Sequence, residues 1–364
     1  MMLFSNQIIL VLWLLMLFAG AKVMKRGQWN PDALSYDQTK AVLGFCAVGV
    51  VIHHCAEKTS AWWLPAHFID PDLKYYVGTG FPLVAFFLFC SGYGMWKSSV
   101  TRKDPLAHFW RKRYAPILCA YFITLIGFII LMKVYNVDGI APLYWSPHSW
   151  YIFCILFMYL FFWLGLRFLH EQSHRVMLSA VGLTLWLALC LMFGLGNWWS
   201  NTSYLFVLGI LFAKHEEAVI SHLKRFCIPY LVLSIVITIP GFIFGNYTWP
   251  LMENQGWEMS DSLAAFIINA SQIISGISFV LFMILLNMKV RIGNPVLKFY
   301  GKMTLELYLV HGIFSELFGR TVMADHIISN LHIKNCLLYV FVVLLISSVL
   351  AFLLRLIDDK IRKV

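Results

Sequence analysis

Eleven apolar stretches divide this chain and leave little between them. A helix that crosses a bilayer needs roughly 20 apolar residues. Residues 4–24, 39–55, 77–96, 113–134, 149–169, 176–195, 202–214, 226–245, 262–288, 295–318 and 335–357 meet or approach that length. The stretch at 202–214 is short and must sit where the bilayer is thin or where protein shields its ends. Composition agrees, with 60% hydrophobic and 13% charged residues, against about 25% charged in soluble domains. No connection exceeds about 25 residues, which leaves no room for a soluble domain. The expected fold class is all-α, a polytopic membrane helical bundle of about eleven spans, without repeats or low-complexity tracts.

A net charge of +10 would suggest nucleic acid in a soluble protein, but its distribution points to a membrane. With the N-terminus outside, the loops at 22–40, 97–113, 167–175, 214–225 and 289–302 and the tail from Arg355 hold 23 of the 28 Lys and Arg residues. The other face carries Lys58, Lys74, Lys133, Arg320 and Lys334. This asymmetry follows the positive-inside rule and predicts N-outside, C-inside, with no nucleic-acid partner. The first apolar stretch has no basic residue before it, and Lys22, Lys25 and Arg26 follow it. It reads as a retained helix rather than a cleaved signal. The eight cysteines are scattered, mostly within spans, and give neither a disulfide nor a metal framework. No metal is expected.

Against this apolar background, ionisable groups at membrane depth are functional candidates. The run AVLGFCAVGVVIHHCAE ends on His53 and His54. Lys40 lies 14 residues before His54, which puts the two about 40° apart in azimuth and about 21 Å apart along the axis. They share a face without touching, and His53 points elsewhere. The plainer reading of the pair is hydrogen bonding at the membrane interface. In FFLFCSGYGMW, residues 86–96, Gly92 and Gly94 beside Ser91 permit close helix approach, or a break that exposes backbone N–H groups to a ligand.

The segment KSSVTRKDPLAHFWRKRYAP, residues 97–116, carries Lys97, Arg102, Lys103, Arg111, Lys112 and Arg113. It suits either anionic headgroups or the phosphates of a nucleotide-like cofactor, since guanidinium forks match phosphate oxygens. His148 and Trp150 open the fifth span, where aromatic residues are common at the interface. The loop at 246–261 is Trp-rich and acidic, and Asn201 and Asn246 fit the glycosylation pattern. In the tenth span Thr304, Tyr308, His311 and Ser315 form one polar stripe, suited to a cavity or to interhelical hydrogen bonds. Glu306 falls on another face.

The order of these pieces resembles the membrane acyltransferase 3 family. The motifs are AVGVVIHH (47–54), FLFCSGY (87–93), RKRYAP (111–116), HSWY (148–151) and LELYLVH (305–311), and the likeness spans roughly residues 37–357. It implies a ten-span acyltransferase-like domain over 37–364, preceded by an N-terminal helix and cytoplasmic linker over 1–36. It also implies an integral protein of a bacterial inner or plasma membrane that moves an acyl group, usually acetyl from acetyl-CoA. The acceptor would be a hydroxyl on an extracytoplasmic glycan or lipid-linked sugar. On this likeness His54, or failing it His53, is the general base or acyl carrier, with Lys40 as its cationic partner. Arg111, Lys112, Arg113, Ser91 and Tyr93 would hold the CoA. His148, Trp150, Tyr308 and His311 would meet the acceptor. One departure is plain: Leu43 stands where the family usually carries an arginine, and Lys40 lies one turn earlier. The competing reading is a secondary transporter or flippase that uses the buried ionisable groups for proton coupling. Against it stand the lack of an inverted repeat and the single acidic residue, Glu306, expected deep in a span.

Overall fold

The computed structural model describes residues 4–64, 66–134, 149–256, 258–319, 322–323, 326–327 and 330–363. They form α1 (Phe4–Phe18), α2 (Tyr36–Ser60), α3 (Gly80–Thr101), α4 (Phe109–Arg113), α5 (Ala115–Val134), α6 (Trp150–Phe168) and α7 (Gln172–Met192). There follow α8 (Tyr204–Lys214), α9 (Glu216–Arg225), α10 (Cys227–Gln255), α11 (Asp261–Lys289), α12 (Pro295–Lys302), α13 (Thr304–Gly319) and α14 (Cys336–Lys363). The chain is an all-α membrane bundle. Among the described residues, seven helices are long and apolar enough to cross a membrane: α2, Lys74–Thr101, α6, α7, α10, α11 and Cys336–Ile361. Ser5–Phe18 and Ala115–Leu131 are shorter apolar helices.

Three of the eleven expected stretches fold differently from a single full-length span. Helix α1 stops at Phe18, and Lys22–Val23 turns back to pair antiparallel with Val290–Arg291 beyond α11. Helix α8 has 11 residues, about 16 Å of rise, so it packs inside the bundle rather than crossing it alone. The tenth stretch breaks at Met303 into α12 and α13. Helix α12 buries Leu297 and Gly301 and turns Lys298 and Lys302 outward. A segment this one-sided lies across α2 instead of continuing the apolar axis of α13.

Helix α2 is the centre of the molecule. Of its most apolar window 89% is buried, against 17% for α10, whose Ile228, Val232, Leu233, Val236 and Ile239 face outward. The sequence explains the difference. Small residues in α2 admit neighbours at backbone distance: a Cβ on Gly44 would overlap the Leu297 carbonyl of α12, and one on Gly301 the Lys40 carbonyl. The same device joins α3 to α8, where Gly92 faces the Phe206 carbonyl and Gly209 faces that of Phe89. Close packing is thus what Gly92 does, whereas Gly94 faces open space. Helix α1 docks on α2 through Trp13, which stacks on Phe45 with ring centroids 4.6 Å apart and donates its indole N–H to the Phe45 carbonyl.

Candidate functional site

The histidine pair does not end its helix. Helix α2 continues past His54 to Ser60, so both imidazoles sit inside the bundle, 7% and 6% exposed. His53 is directed toward the start of α3. Its Nδ1 lies 3.2 Å from the Tyr76 carbonyl oxygen, and its ring occupies the space where a Cβ on Gly80 would stand.

His54 turns toward α13, and its Nδ1 is 2.6 Å from Nε2 of His311. His311 is wholly buried, with its own Nδ1 2.9 Å from the Leu307 carbonyl oxygen. The Tyr308 ring lies 6.4 Å from that of His54 and 5.2 Å from that of Tyr151 on α6. The stripe on α13 therefore meets the histidine face of α2, as a partner-helix stripe should. Ser315 further along hydrogen-bonds the Gly312 carbonyl, and its own carbonyl accepts the Tyr339 hydroxyl of α14.

Two acidic groups complete the cluster. Glu57, one turn beyond the histidines, places Oε1 3.6 Å from His53 Nε2 and Oε2 3.7 Å from His54 Nε2. Glu316 on α13 is fully buried and forms an ion pair with Lys58. With Glu306, which pairs with Arg355 of α14 at 3.4 Å, the fully buried Glu316 corrects the expectation of a single acidic residue at depth. In sequence Glu57 and Lys58 look like the solvated end of a span. Only the continuation of α2 past them reveals that they belong to the site.

The remaining candidates lie elsewhere. Lys40 is near the opposite end of α2, its ammonium 5.7 Å from the centre of the Tyr36 ring, and does not reach the histidines. Leu43 is buried in the apolar core. Ser91 hydrogen-bonds the Tyr159 hydroxyl at 2.8 Å, and Tyr93 donates to Glu216 of α9 at 3.0 Å. Glu216 also pairs with Lys97 at 2.7 Å.

Beside this pair the chain turns into α4. Asp104 accepts from the Leu106 and Ala107 N–H groups, and His108 adopts φ 56°. The turn brings Arg102, Lys112 and Arg113 to one small pocket with Ser98 and Ser99. Arg111 is on α4 as well but does not line that pocket. Trp150 begins α6 and packs edge-on against Tyr151. His148 lies outside the described residues. The glycosylation-pattern asparagines are both engaged: Asn201 donates to Gln272, and Asn246 donates to the Phe242 carbonyl and packs on Gly78.

A buried imidazole in contact with a second one, in a bundle with a cationic pocket elsewhere, is an arrangement that suits group transfer. The family model described as an acyltransferase domain matches residues 41–356. This chain belongs to the acyltransferase 3 family. It is thus a membrane acyltransferase. No curated protein and no solved structure matches the chain. Within the acyltransferase domain fall the histidine cluster, the basic segment and the break at Met303, while α1 lies ahead of the matched residues.

Proposed function

We propose that this acyltransferase moves an acetyl group from cytoplasmic acetyl-CoA to a hydroxyl of an extracytoplasmic glycan or lipid-linked sugar, with His54 as general base. The observation that carries this reading is the His54–His311 contact of 2.6 Å. A carbonyl oxygen only accepts, so His311 Nδ1, facing Leu307, carries the proton and Nε2 is the acceptor. His54 Nδ1 must then donate, which leaves the His54 lone pair on Nε2. This tautomer follows from the hydrogen-bond partners. A base whose far nitrogen is held by a third group is the arrangement that activates a hydroxyl nucleophile.

The step balances without further reactants. The acceptor hydroxyl gives its proton to His54 Nε2 as its oxygen bonds the thioester carbonyl carbon. Collapse of the tetrahedral intermediate breaks the C–S bond, and the imidazolium proton passes to the departing thiolate. The Glu57 carboxylate stands 3.7 Å from that Nε2. Tyr308 is suited to donate to the oxyanion or orient the acceptor, and Trp150 and His148 are read as acceptor contacts.

The cationic pocket of Arg102, Lys112 and Arg113 supports phosphate binding, and Arg111 is read as a further contact from the same helix. The Lys and Arg asymmetry supports a cytoplasmic location for that end and an outer location for the histidine end, with N-terminus out and C-terminus in. The enzyme would then sit in a bacterial inner or plasma membrane. Mass analysis of surface glycans with and without the gene tests this. An acyl mass lost with the gene and restored by the wild type but not by His54→Ala is the expected result. Loss of whole glycans would favour transport instead.

A further inference from the structure

We propose that His53, His54 and Glu57 form a binding site for one zinc-class divalent cation, and that its occupation switches off acyl transfer. One ligand atom from each of His53, His54 and Glu57 lies within 4.8 Å of the other two, and both Nε2 atoms face the Glu57 carboxylate. The two nitrogen–oxygen separations, 3.6 and 3.7 Å, are too long for hydrogen bonds. They approach the spacing of two ligands that share one ion. Zinc bonds of about 2.0–2.1 Å at tetrahedral angles hold neighbouring donor atoms roughly 3.3 Å apart.

Both rings are already oriented as ligands. Metal-binding histidines almost always donate their other N–H to an acceptor, which fixes the tautomer and aims the lone pair. Here the Tyr76 carbonyl takes that role for His53 and His311 takes it for His54. The spacing on α2 also suits chelation, since Glu57 lies four residues after His53 and three after His54, on the same side of the helix. Gly80 leaves room for the His53 ring, and the Glu57 side chain, 29% exposed, marks the approach for an ion. The neighbouring cation, Lys58, is answered by Glu316. Two imidazoles and one carboxylate suit zinc, with a fourth position open to water.

The metal-binding part stands on this geometry alone. The inhibitory part rests on the proposed function, because the ion would occupy the same Nε2 lone pair that accepts the proton. Zinc would therefore compete with catalysis rather than assist it.

Full-length protein, purified in detergent and stripped with chelator, should bind one Zn2+ per chain by titration calorimetry. Co2+ in its place should give the visible absorption of a nitrogen- and oxygen-ligated site. Glu57→Gln and His53→Gln should each weaken Zn2+ binding, and His311→Gln, which removes the orienting partner, should weaken it by about 10–100-fold. His67→Ala, a change at an exposed histidine beside Asp72, should leave binding unchanged. Zn2+ should stop acyl transfer in the wild type, and chelator should restore it. Absence of Zn2+ uptake, uptake that Glu57→Gln does not weaken, or transfer that continues or accelerates with Zn2+ bound would each overturn the proposal. Failure of metal binding leaves the His54 reading intact, because that reading fails separately if metal-free His54→Ala stays fully active.

Discussion

The histidine cluster and the basic segment are both polar regions of an apolar molecule, yet they are built in opposite ways. The cluster draws His53, His54, Glu57 and Lys58 from α2 and His311 and Glu316 from α13, about 250 residues apart in the chain. Its imidazoles are buried and hydrogen-bonded, and Glu316 is paired with Lys58. The basic segment is local. Six cations fall within residues 97–113, they are exposed or half-buried, and one turn capped by Asp104 brings three of them to a pocket. Buried polar groups must find partners, because leaving one unsatisfied costs about 1–3 kcal/mol. Solvated charges carry no such requirement. Substitutions should therefore act steeply in the first region and shallowly in the second.

The steepest test is His54→Ala, which should lower turnover by about 10²–10⁴-fold, the usual contribution of a general base, with membrane insertion unchanged. Labelled acetyl transfer in proteoliposomes measures it. A fully active His54→Ala variant would break the comparison at its centre. Next, Glu316→Gln leaves Lys58 without its buried counter-charge and should destabilise the fold by about 3–5 kcal/mol. Thermal unfolding in detergent reads this, and the double change Lys58→Met with Glu316→Leu should recover much of the loss. His311→Phe removes the group that orients His54 and should reduce kcat with little change in KM for either substrate.

In the shallow region, Lys112→Ala and Arg113→Ala should each raise KM for acetyl-CoA by about tenfold, the worth of one charge-assisted hydrogen bond, while kcat holds. Direct binding of radiolabelled acetyl-CoA gives the same information without turnover, and unchanged affinity would return the segment to a purely topological role. Smallest of all, Lys40→Ala should alter transfer by less than about threefold, since a side chain some 21 Å along the axis from His54 cannot touch it. A large loss there would show that the lysine acts on the donor rather than the histidine.

Legibility followed the same division. Apolar length and charge asymmetry were enough to identify a membrane bundle, because lipid imposes one rule on every segment it touches. The stripe of Tyr308, His311 and Ser315 was visible at helical spacing, and it does meet the histidine helix. Glu57 and Glu316 were not visible. One follows the last apolar turn of a span and the other occupies an ordinary acidic position, and nothing local distinguishes either from a solvated carboxylate. The break at Met303 was hidden as well, since residues 295–318 read as one apolar stretch, and only packing across α2 separates α12 from α13.

The sequence by itself determined that this chain lives in a membrane as helices, which segments are apolar and where its positive charge collects. These properties are sums over neighbouring residues, so they survive without knowledge of the fold. Tertiary structure alone decided that His54 faces His311, that His53 turns to the Tyr76 carbonyl, and that Glu57 stands between their outer nitrogens. Which partners a buried imidazole finds depends on which helices pack against it, and that choice is made by the small residues of α2 and the reach of α13.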